Sequence, residues 1–103
     1  MPAEYNRTER LGEKIKRDLA LLIQRGLKDP RLGMVTVNFC DLSKDLSYAD
    51  VNVTVMVPDD SDEKIVQSLT ILKEAAPFLR MELGRELNVR KVPYLRFHYD
   101  DSL

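Results

Sequence analysis

The chain has 103 residues, 44% of them hydrophobic and 32% charged, and its formal net charge is −1 at pH 7. This length and composition predict one globular domain over residues 1–103 and exclude a disordered or low-complexity chain. The sequence shows no apolar run near the roughly 20 residues that cross a bilayer, no signal peptide and a single cysteine, Cys40, so we expect a protein of the reducing cytoplasm with no membrane partner.

The segment from Arg7 to Lys28 is predicted to form an amphipathic helix. Its apolar residues recur at helical spacing on one face and are Leu11, Ile15, Leu19, Leu22 and Ile23. Asn6 and Glu9 are spaced for a reciprocal cap at its start, and Pro30 closes it. Gly33 is expected to supply a positive φ in the turn that follows.

Two strands with alternating apolar residues come next. The predicted inward residues are Val35, Val37 and Phe39 in the first strand and Val51, Val53, Val55 and Val57 in the second. The connection over residues 41–47 is polar, so the pattern predicts an antiparallel hairpin.

A second helix is expected after Pro58, where Asp60 and Glu63 form another capping pair. Pro77 falls inside the helical pattern, so the helix must kink or restart there. A third strand runs from Tyr94 to Tyr99. Its predicted inward residues are Leu95, Phe97 and Tyr99, and its outward residues are Tyr94, Arg96 and His98. The resulting order, α-β-β-α-(kink)-α-β, describes an α+β fold in which helices pack on one face of a three-stranded sheet.

Charge is distributed unevenly along the chain. Residues 1–35 carry eight Lys and Arg against five Asp and Glu, whereas residues 36–72 carry two against seven. At about 100° per residue, six basic residues of the first helical segment share one sector of about 80°. They are Arg7, Arg10, Lys14, Arg17, Arg25 and Lys28. Further basic candidates are Arg31, Arg80, Arg85, Arg90, Lys91 and Arg96.

These twelve basic residues form the predicted RNA-binding set. Lys and Arg contacts to phosphates give affinity and registration but little sequence information. The other interpretation of the helical stripe is a solvated helix face with no partner. Tyr94 and His98, which flank Arg96, either stack on an unpaired base or form the polar face of an amphipathic strand.

No residue pattern indicates catalysis or a metal site. His98 is the only histidine, and Cys40 has no base near it in sequence. The acidic residues between 59 and 63 lack the alternating spacing and central glycine of a calcium loop, and no phosphate-loop or hydrolase motif occurs. We therefore predict no enzyme, no metal, no cofactor and no small-molecule substrate.

Four segments in order carry a family resemblance. They are residues 27–37 (LKDPRLGMVTV), residues 42–49 (LSKDLSYA), residues 75–80 (AAPFLR) with Leu83-Gly84, and residues 92–100 (VPYLRFHYD). Together they resemble the ribosome-binding factor A family, and the element order is that of a single KH type II-like domain. The resemblance implies a monomeric bacterial factor, linked to growth in the cold, with no known catalytic residues. Its implied partners are the immature small ribosomal subunit and its ribosomal RNA, including the precursor RNA whose processing it assists.

The chain departs from the family pattern in two places. It has no Gly-x-x-Gly loop. The family usually has Ala-x-Gly at the helix kink, and the corresponding residues here are Ala75, Ala76 and Pro77. Because proline has no amide hydrogen, a backbone contact from residue 77 to a phosphate is not expected. Family members usually continue beyond the segment that matches residues 100–102, so we expect a flexible basic tail to be missing after Leu103.

Two alternatives to RNA binding stay open at this point. One is a protein-docking module whose acidic middle segment meets a basic ribosomal protein. Such a module would not show the linear fall of log affinity with log salt that RNA binding gives. The other is a nuclease acting on precursor RNA, which would cleave that RNA in the presence of magnesium.

Overall fold

Two helices cover one face of a three-stranded sheet. The structure, a computed structural model, describes residues 3–59, 61–87 and 89–101. In chain order the elements are α1 (Ala3–Gly26), β1 (Met34–Leu42), β2 (Tyr48–Met56), α2 (Asp62–Glu86) and β3 (Tyr94–Tyr99). The strand order is β1-β2-β3, with β1 antiparallel and β3 parallel to the central β2. Since α1 packs mainly on β1 and α2 mainly on β3, the predicted α+β arrangement is confirmed.

The core lies between the inward face of β2 and the apolar faces of both helices. On β2, Val51 and Val53 are completely buried, and the alternation predicted for this strand is confirmed. The helix residues that are completely buried against the sheet are Ile15 and Leu19 of α1 and Leu72, Leu79 and Leu83 of α2. Each such side chain contributes about 1.5–3 kcal/mol on burial. Neither helix of the described residues lies over the opposite face of the sheet.

A β-bulge at Asn38 changes the inward face of β1. The register with β2 shifts between Val37 and Phe39, which leaves Asn38 as the extra residue. Beyond the bulge Cys40 and Leu42 turn inward, and Phe39 lies on the outer face with 53% of its surface exposed. The prediction that Phe39 faces the core was wrong, because one extra residue reverses the alternation of every residue after it.

The helix starts differ from the predicted ones. α1 begins at Ala3, so Asn6 lies within the helix and is not its cap. The cap of α2 is Ser61, whose hydroxyl oxygen accepts from the amide of Lys64 at 3.5 Å. The predicted cap residue Asp60 lies outside the described residues.

The segment Ala75-Ala76-Pro77 lies within one uninterrupted helix. α2 runs from Asp62 to Glu86, so it does not restart at Pro77. Pro77 is exposed, whereas Ala75 and Ala76 are half-buried against the core. Because proline has no amide hydrogen, the carbonyl of Lys73 has no helical donor at this turn.

Gly33 is required by close packing and not by its backbone angle. No described glycine has a positive φ, so the predicted role of Gly33 was wrong. A Cβ at this position would lie 2.7 Å from the carbonyl oxygen of Met56 and 2.8 Å from a methyl of Val57. The Gly33 amide also donates to the buried Ser68 hydroxyl of α2 at 2.9 Å. The chain before β1 is thereby held between β2 and α2.

The end of β3 also differs from its prediction. Leu95 and Phe97 are buried as expected, but Tyr99 is 39% exposed. Tyr99 is the last residue of β3, whereas the buried Leu95 and Phe97 lie within the strand. Neither helix in the described ranges is long and apolar enough to span a membrane.

Gly33→Ala should lower the free energy of unfolding by about 1–3 kcal/mol, because its methyl group would overlap the backbone of β2. Gly26→Ala is the matched control, since its Cβ would lie 3.5 Å from the Phe78 ring, an ordinary contact. Urea unfolding of both variants measures the difference. Equal stability of the two variants would contradict the packing role assigned to Gly33.

Candidate nucleic-acid interface

The solvent-facing side of α1 carries most of the predicted basic stripe. Arg7, Arg10, Arg17 and Arg25 are exposed, and none forms an ion pair with a described carboxylate. Lys14 pairs with Asp18 at 3.2 Å, but 46% of its side chain stays accessible. The opposite face of the same helix is buried in the core. These cations therefore face the solvent, where a partner can contact them.

Lys28 and Arg31 lie beyond the end of α1, in a groove against α2 that Ala75 and Phe78 also line. The Arg31 guanidinium makes two hydrogen bonds to the Asp29 carboxylate, at 2.6 and 2.9 Å. These bonds lower the pKa of Asp29 to about 2. The charge of Arg31 is therefore balanced inside the protein, whereas Lys28 has no ion pair among the described residues.

A second group of cations gathers between the end of α2 and the start of β3. Arg80, Arg90 and Lys91 line one cleft, here called the basic cleft, together with Pro77 and Gly84. Arg80 donates twice to the carbonyl of Val92, at 3.1 and 2.9 Å. No described carboxylate lies within ion-pair distance of these three cations.

Arg85 and Arg96 are held by carboxylates. Arg85 lies 3.6 Å from Glu82 one helical turn away, and Arg96 makes two hydrogen bonds of 2.9 Å to Asp50 on the adjacent strand. His98 Nε2 lies 2.8 Å from the same Asp50 carboxylate. The hydrogen bonds from Arg96, followed by that from His98, lower the pKa of Asp50.

The structure therefore divides the predicted set into separate groups. In the α1 stripe, which consists of Arg7, Arg10, Lys14, Arg17 and Arg25, every cation except Lys14 lacks a described carboxylate partner, and so do the cations of the basic cleft. Arg31, Arg85 and Arg96 are instead balanced by neighbouring carboxylates. No described contact joins the α1 stripe to the basic cleft. Sequence reasoning could not separate these groups, because Asp50 and Arg96 meet only through the pairing of β2 with β3.

One outward residue was missed in the sequence. Tyr48 is the cross-strand partner of Tyr94, and the two ring centroids lie 6.0 Å apart. Arg80 stacks over Tyr94 at 4.0 Å from the ring centroid, and Arg96 stacks over Tyr48 at 4.3 Å. The strand alternation could have predicted its outward position, since Tyr48 lies an odd number of residues from the buried valines of β2. Its partner depended on a parallel register that the sequence does not reveal.

The remaining reactive groups offer no catalytic constellation in the described ranges. Burial raises the pKa of the Cys40 thiol to about 12, and the charges of Asp41, Asp50 and Glu13 add to the shift. The thiol therefore stays protonated near neutral pH. No three His, Cys, Asp or Glu side chains in the described part of the chain group together as metal ligands.

The element order and the mixed sheet define a small α+β domain with both helices on one face and cations concentrated at the helices. The profile of the ribosome-binding factor A family matches residues 7–103. Ribosome-binding factor A of Ectopseudomonas mendocina is 53% identical over 103 residues, which are 100% of this chain and 80% of that protein. The Hahella chejuensis protein of the same name is 57% identical over 107 residues, covering 100% of this chain and 78% of the relative. The chain belongs to the ribosome-binding factor A family.

Solved structures agree with this assignment. The crystal structure of ribosome-binding factor A from Thermus thermophilus is 35% identical and superposes with a TM-score of 0.77 over 89% of this chain and 93% of that one. The solution NMR structure of a Thermotoga maritima protein gives 0.80 at 32% identity, over 100% of this chain and 94% of that one. A Thermus thermophilus homology model fitted into a cryo-EM map of a complex of the 30S subunit with ribosome-binding factor A gives 0.72 at 34% identity, over 88% and 92% of the two chains.

Asp50→Asn should lower the free energy of unfolding by at most about 1 kcal/mol near neutral pH, because exposed ion pairs contribute little. The pKa of Asp50 is lowered in the folded state, so its contribution is complete above the unfolded value near 4 and is lost as the pH falls through the lower folded value. The deficit of the variant should therefore shrink as the pH falls below about 4. Urea unfolding at stepwise lower pH measures it.

The control for this prediction is Asp41→Asn. Asp41 is the cross-strand neighbour of Asp50 and has no cation partner among the described residues. Its removal relieves like-charge repulsion and should cost no stability. A pH-independent deficit in Asp50→Asn, or an equal deficit in the control, would contradict the role of the Asp50 ion pair.

Proposed function

We propose that this protein binds the small ribosomal subunit through its ribosomal RNA while the subunit matures, and assists precursor RNA processing without catalysing it. It acts as a monomer in the cytoplasm. The family membership supports the ribosome as the target, and the fitted 30S complex is that of a Thermus relative with the same fold. The single observation that carries the RNA contact is the row of exposed arginines on α1 that form no ion pair with a described carboxylate.

The α1 stripe is suited to phosphates and not to base recognition. Its cations project from a regular helix whose other face is fixed in the core by Ile15 and Leu19, so their spacing is set before binding. From Arg7 to Arg25 the helix extends about 27 Å, at about 1.5 Å per residue. Side chains in such a row neutralise backbone charge and release counterions, a contribution that depends on salt and not on sequence. The basic cleft offers a second contact of the same kind.

Binding of this kind promotes maturation only if it discriminates between RNA conformations. A ligand shifts an equilibrium by its differential affinity for the two states. The protein therefore binds an immature arrangement of phosphates better than the mature one, stabilises it during assembly, and is released when the mature arrangement forms. This mechanism needs no reacting side chain.

The triple variant Arg10→Glu, Lys14→Glu, Arg17→Glu should bind immature small subunits much more weakly while its melting temperature changes little. Exposed substitutions usually change stability by no more than about 0.5 kcal/mol each. The slope of log affinity against log salt should fall by roughly 0.7–0.9 for each phosphate that the variant no longer neutralises. Co-sedimentation with immature and mature subunits over a salt series measures both effects, and wild-type protein should favour the immature subunits.

A control with the same charge change separates the site from net charge. Lys44, Lys64 and Lys73 are exposed and lie outside the predicted RNA-binding set. If their triple reversal to Glu weakens binding as much as the α1 variant does, net charge is responsible and the assignment of α1 fails. If neither variant changes binding, the stripe is a solvated face.

One observation favours protein docking as a second candidate. Met34 and Met56 are cross-strand partners on the outer face and are 69% and 65% exposed. Pro30 and Pro58 line the same hollow beside them. Unbranched, polarisable side chains of this kind adapt readily to a protein surface. Binding to subunits that is insensitive to both salt and the α1 variant would favour this candidate.

A further inference from the structure

The outer face of the sheet carries two exposed aromatic rings at the start of β3. Tyr48 and Tyr94 point away from the helices, with 42% and 53% of their surfaces exposed. Their ring centroids lie 6.0 Å apart with an interplanar angle of 38°. They are direct partners in the parallel pairing of β2 with β3, so the backbone holds them side by side.

Both rings are fixed by guanidinium groups that are themselves anchored. Arg80 stacks over Tyr94 and donates both of its hydrogen bonds to the carbonyl of Val92. Arg96 stacks over Tyr48 and is held by two hydrogen bonds to Asp50. The rings are therefore ordered before any ligand arrives, which lowers the entropic cost of binding on them.

Charge around the two rings changes sign along β3. At the start of the strand lie the exposed Arg90 and Lys91 of the basic cleft. Lys91 donates to the hydroxyl of Ser47 at 3.2 Å. The pKa of nearby Asp45 is lowered mainly by hydrogen bonds from the Ser47 amide and the Ser43 hydroxyl, and the charge of Lys91 adds to the shift. At the other end the strand runs into Asp100 and Asp101. A polyanion is therefore attracted to the end that carries Tyr48 and Tyr94 and repelled from the opposite end.

The geometry points to a binding site for one or two unpaired bases of single-stranded RNA on Tyr48 and Tyr94, with the adjoining phosphates at Arg90 and Lys91. Aromatic side chains stack on any base, and basic side chains beside them follow the backbone, a combination typical of single-strand binding. The inference deepens the proposed function and rests on it for the source of the RNA. It adds a contact to bases in single-stranded RNA that the α1 stripe does not provide.

The test compares a uridine octamer with an octamer of the same length whose sugars carry no bases. Both have the same phosphates, so stacking is the difference between them. Wild-type protein should bind the uridine octamer about tenfold more tightly than the abasic one, as expected for loss of a stacked base. Tyr94→Ala should lose that advantage, and Tyr94→Phe, which keeps the ring, should retain it. Fluorescence anisotropy of labelled octamers gives the affinities.

Tyr99→Ala is the matched control, because Tyr99 is an exposed tyrosine at the other end of the same strand. Equal binding of the two octamers by wild-type protein overturns the inference, and so does an equal loss in Tyr94→Ala and Tyr99→Ala. Should Tyr94→Ala fail to fold, photocrosslinking of wild-type protein to a 5-iodouridine octamer decides the matter. Crosslinks at Tyr48 or Tyr94 support the site, and crosslinks elsewhere overturn it.

Failure of this inference is distinguishable from failure of the proposed function. Wild-type protein that binds immature subunits through the α1 stripe but does not discriminate between the octamers overturns the base site alone. An α1 variant that still binds subunits overturns the role of the stripe and leaves the octamer result standing. If Tyr94→Ala weakens subunit binding but leaves octamer binding unchanged, the face contacts a protein and the base site is wrong.

Discussion

Burial of Val51 and Val53 on the central strand is the constraint on which the rest of the domain depends. Both side chains are completely covered by helices, so β2 has only one orientation available to it. A shift of one residue would turn the valines to solvent and place Asp50 and Asn52 in the core, which is far more costly than any surface contact can offset. The registers of β1 and β3, and with them the composition of the outer face, follow from that orientation.

The two faces of the sheet therefore have different physical roles. The inner face supplies apolar burial, and the outer face is stabilised by exposed pairs such as Asp50 with Arg96, each of which contributes little to the free energy of unfolding. Weak contacts of this kind cost little free energy to exchange for contacts with a partner. The exposed arginines of α1 have no such contact to exchange, since they form no internal ion pair with a described carboxylate.

Gly33, in the connection before β1, and Pro77, within α2, differ in how tightly the packing constrains them. At Gly33 the backbone of β2 approaches so closely that any side chain would overlap it, and the Ser68 hydroxyl holds that approach from α2. At Pro77 the chain is exposed, and the fold tolerates a residue that removes a helical hydrogen bond. The first position is fixed by the core. The second leaves the core intact and provides no amide donor to the surface beside the basic cleft.

The sequence by itself determined the amphipathic helix α1, the inward valines of β2, the hairpin and the family. Each of these depends on residues close together in the chain or on motifs that occupy contiguous segments. The tertiary structure alone decided the bulge that turned Phe39 outward, the packing role of Gly33, and the exposure of Tyr99 at the end of β3. It also decided which predicted cations have a carboxylate partner, since the partner of Arg96 lies 46 residues away in sequence. The physical reason is that local periodicity fixes which face a side chain occupies, whereas its neighbour on that face is set by strand pairing between distant segments.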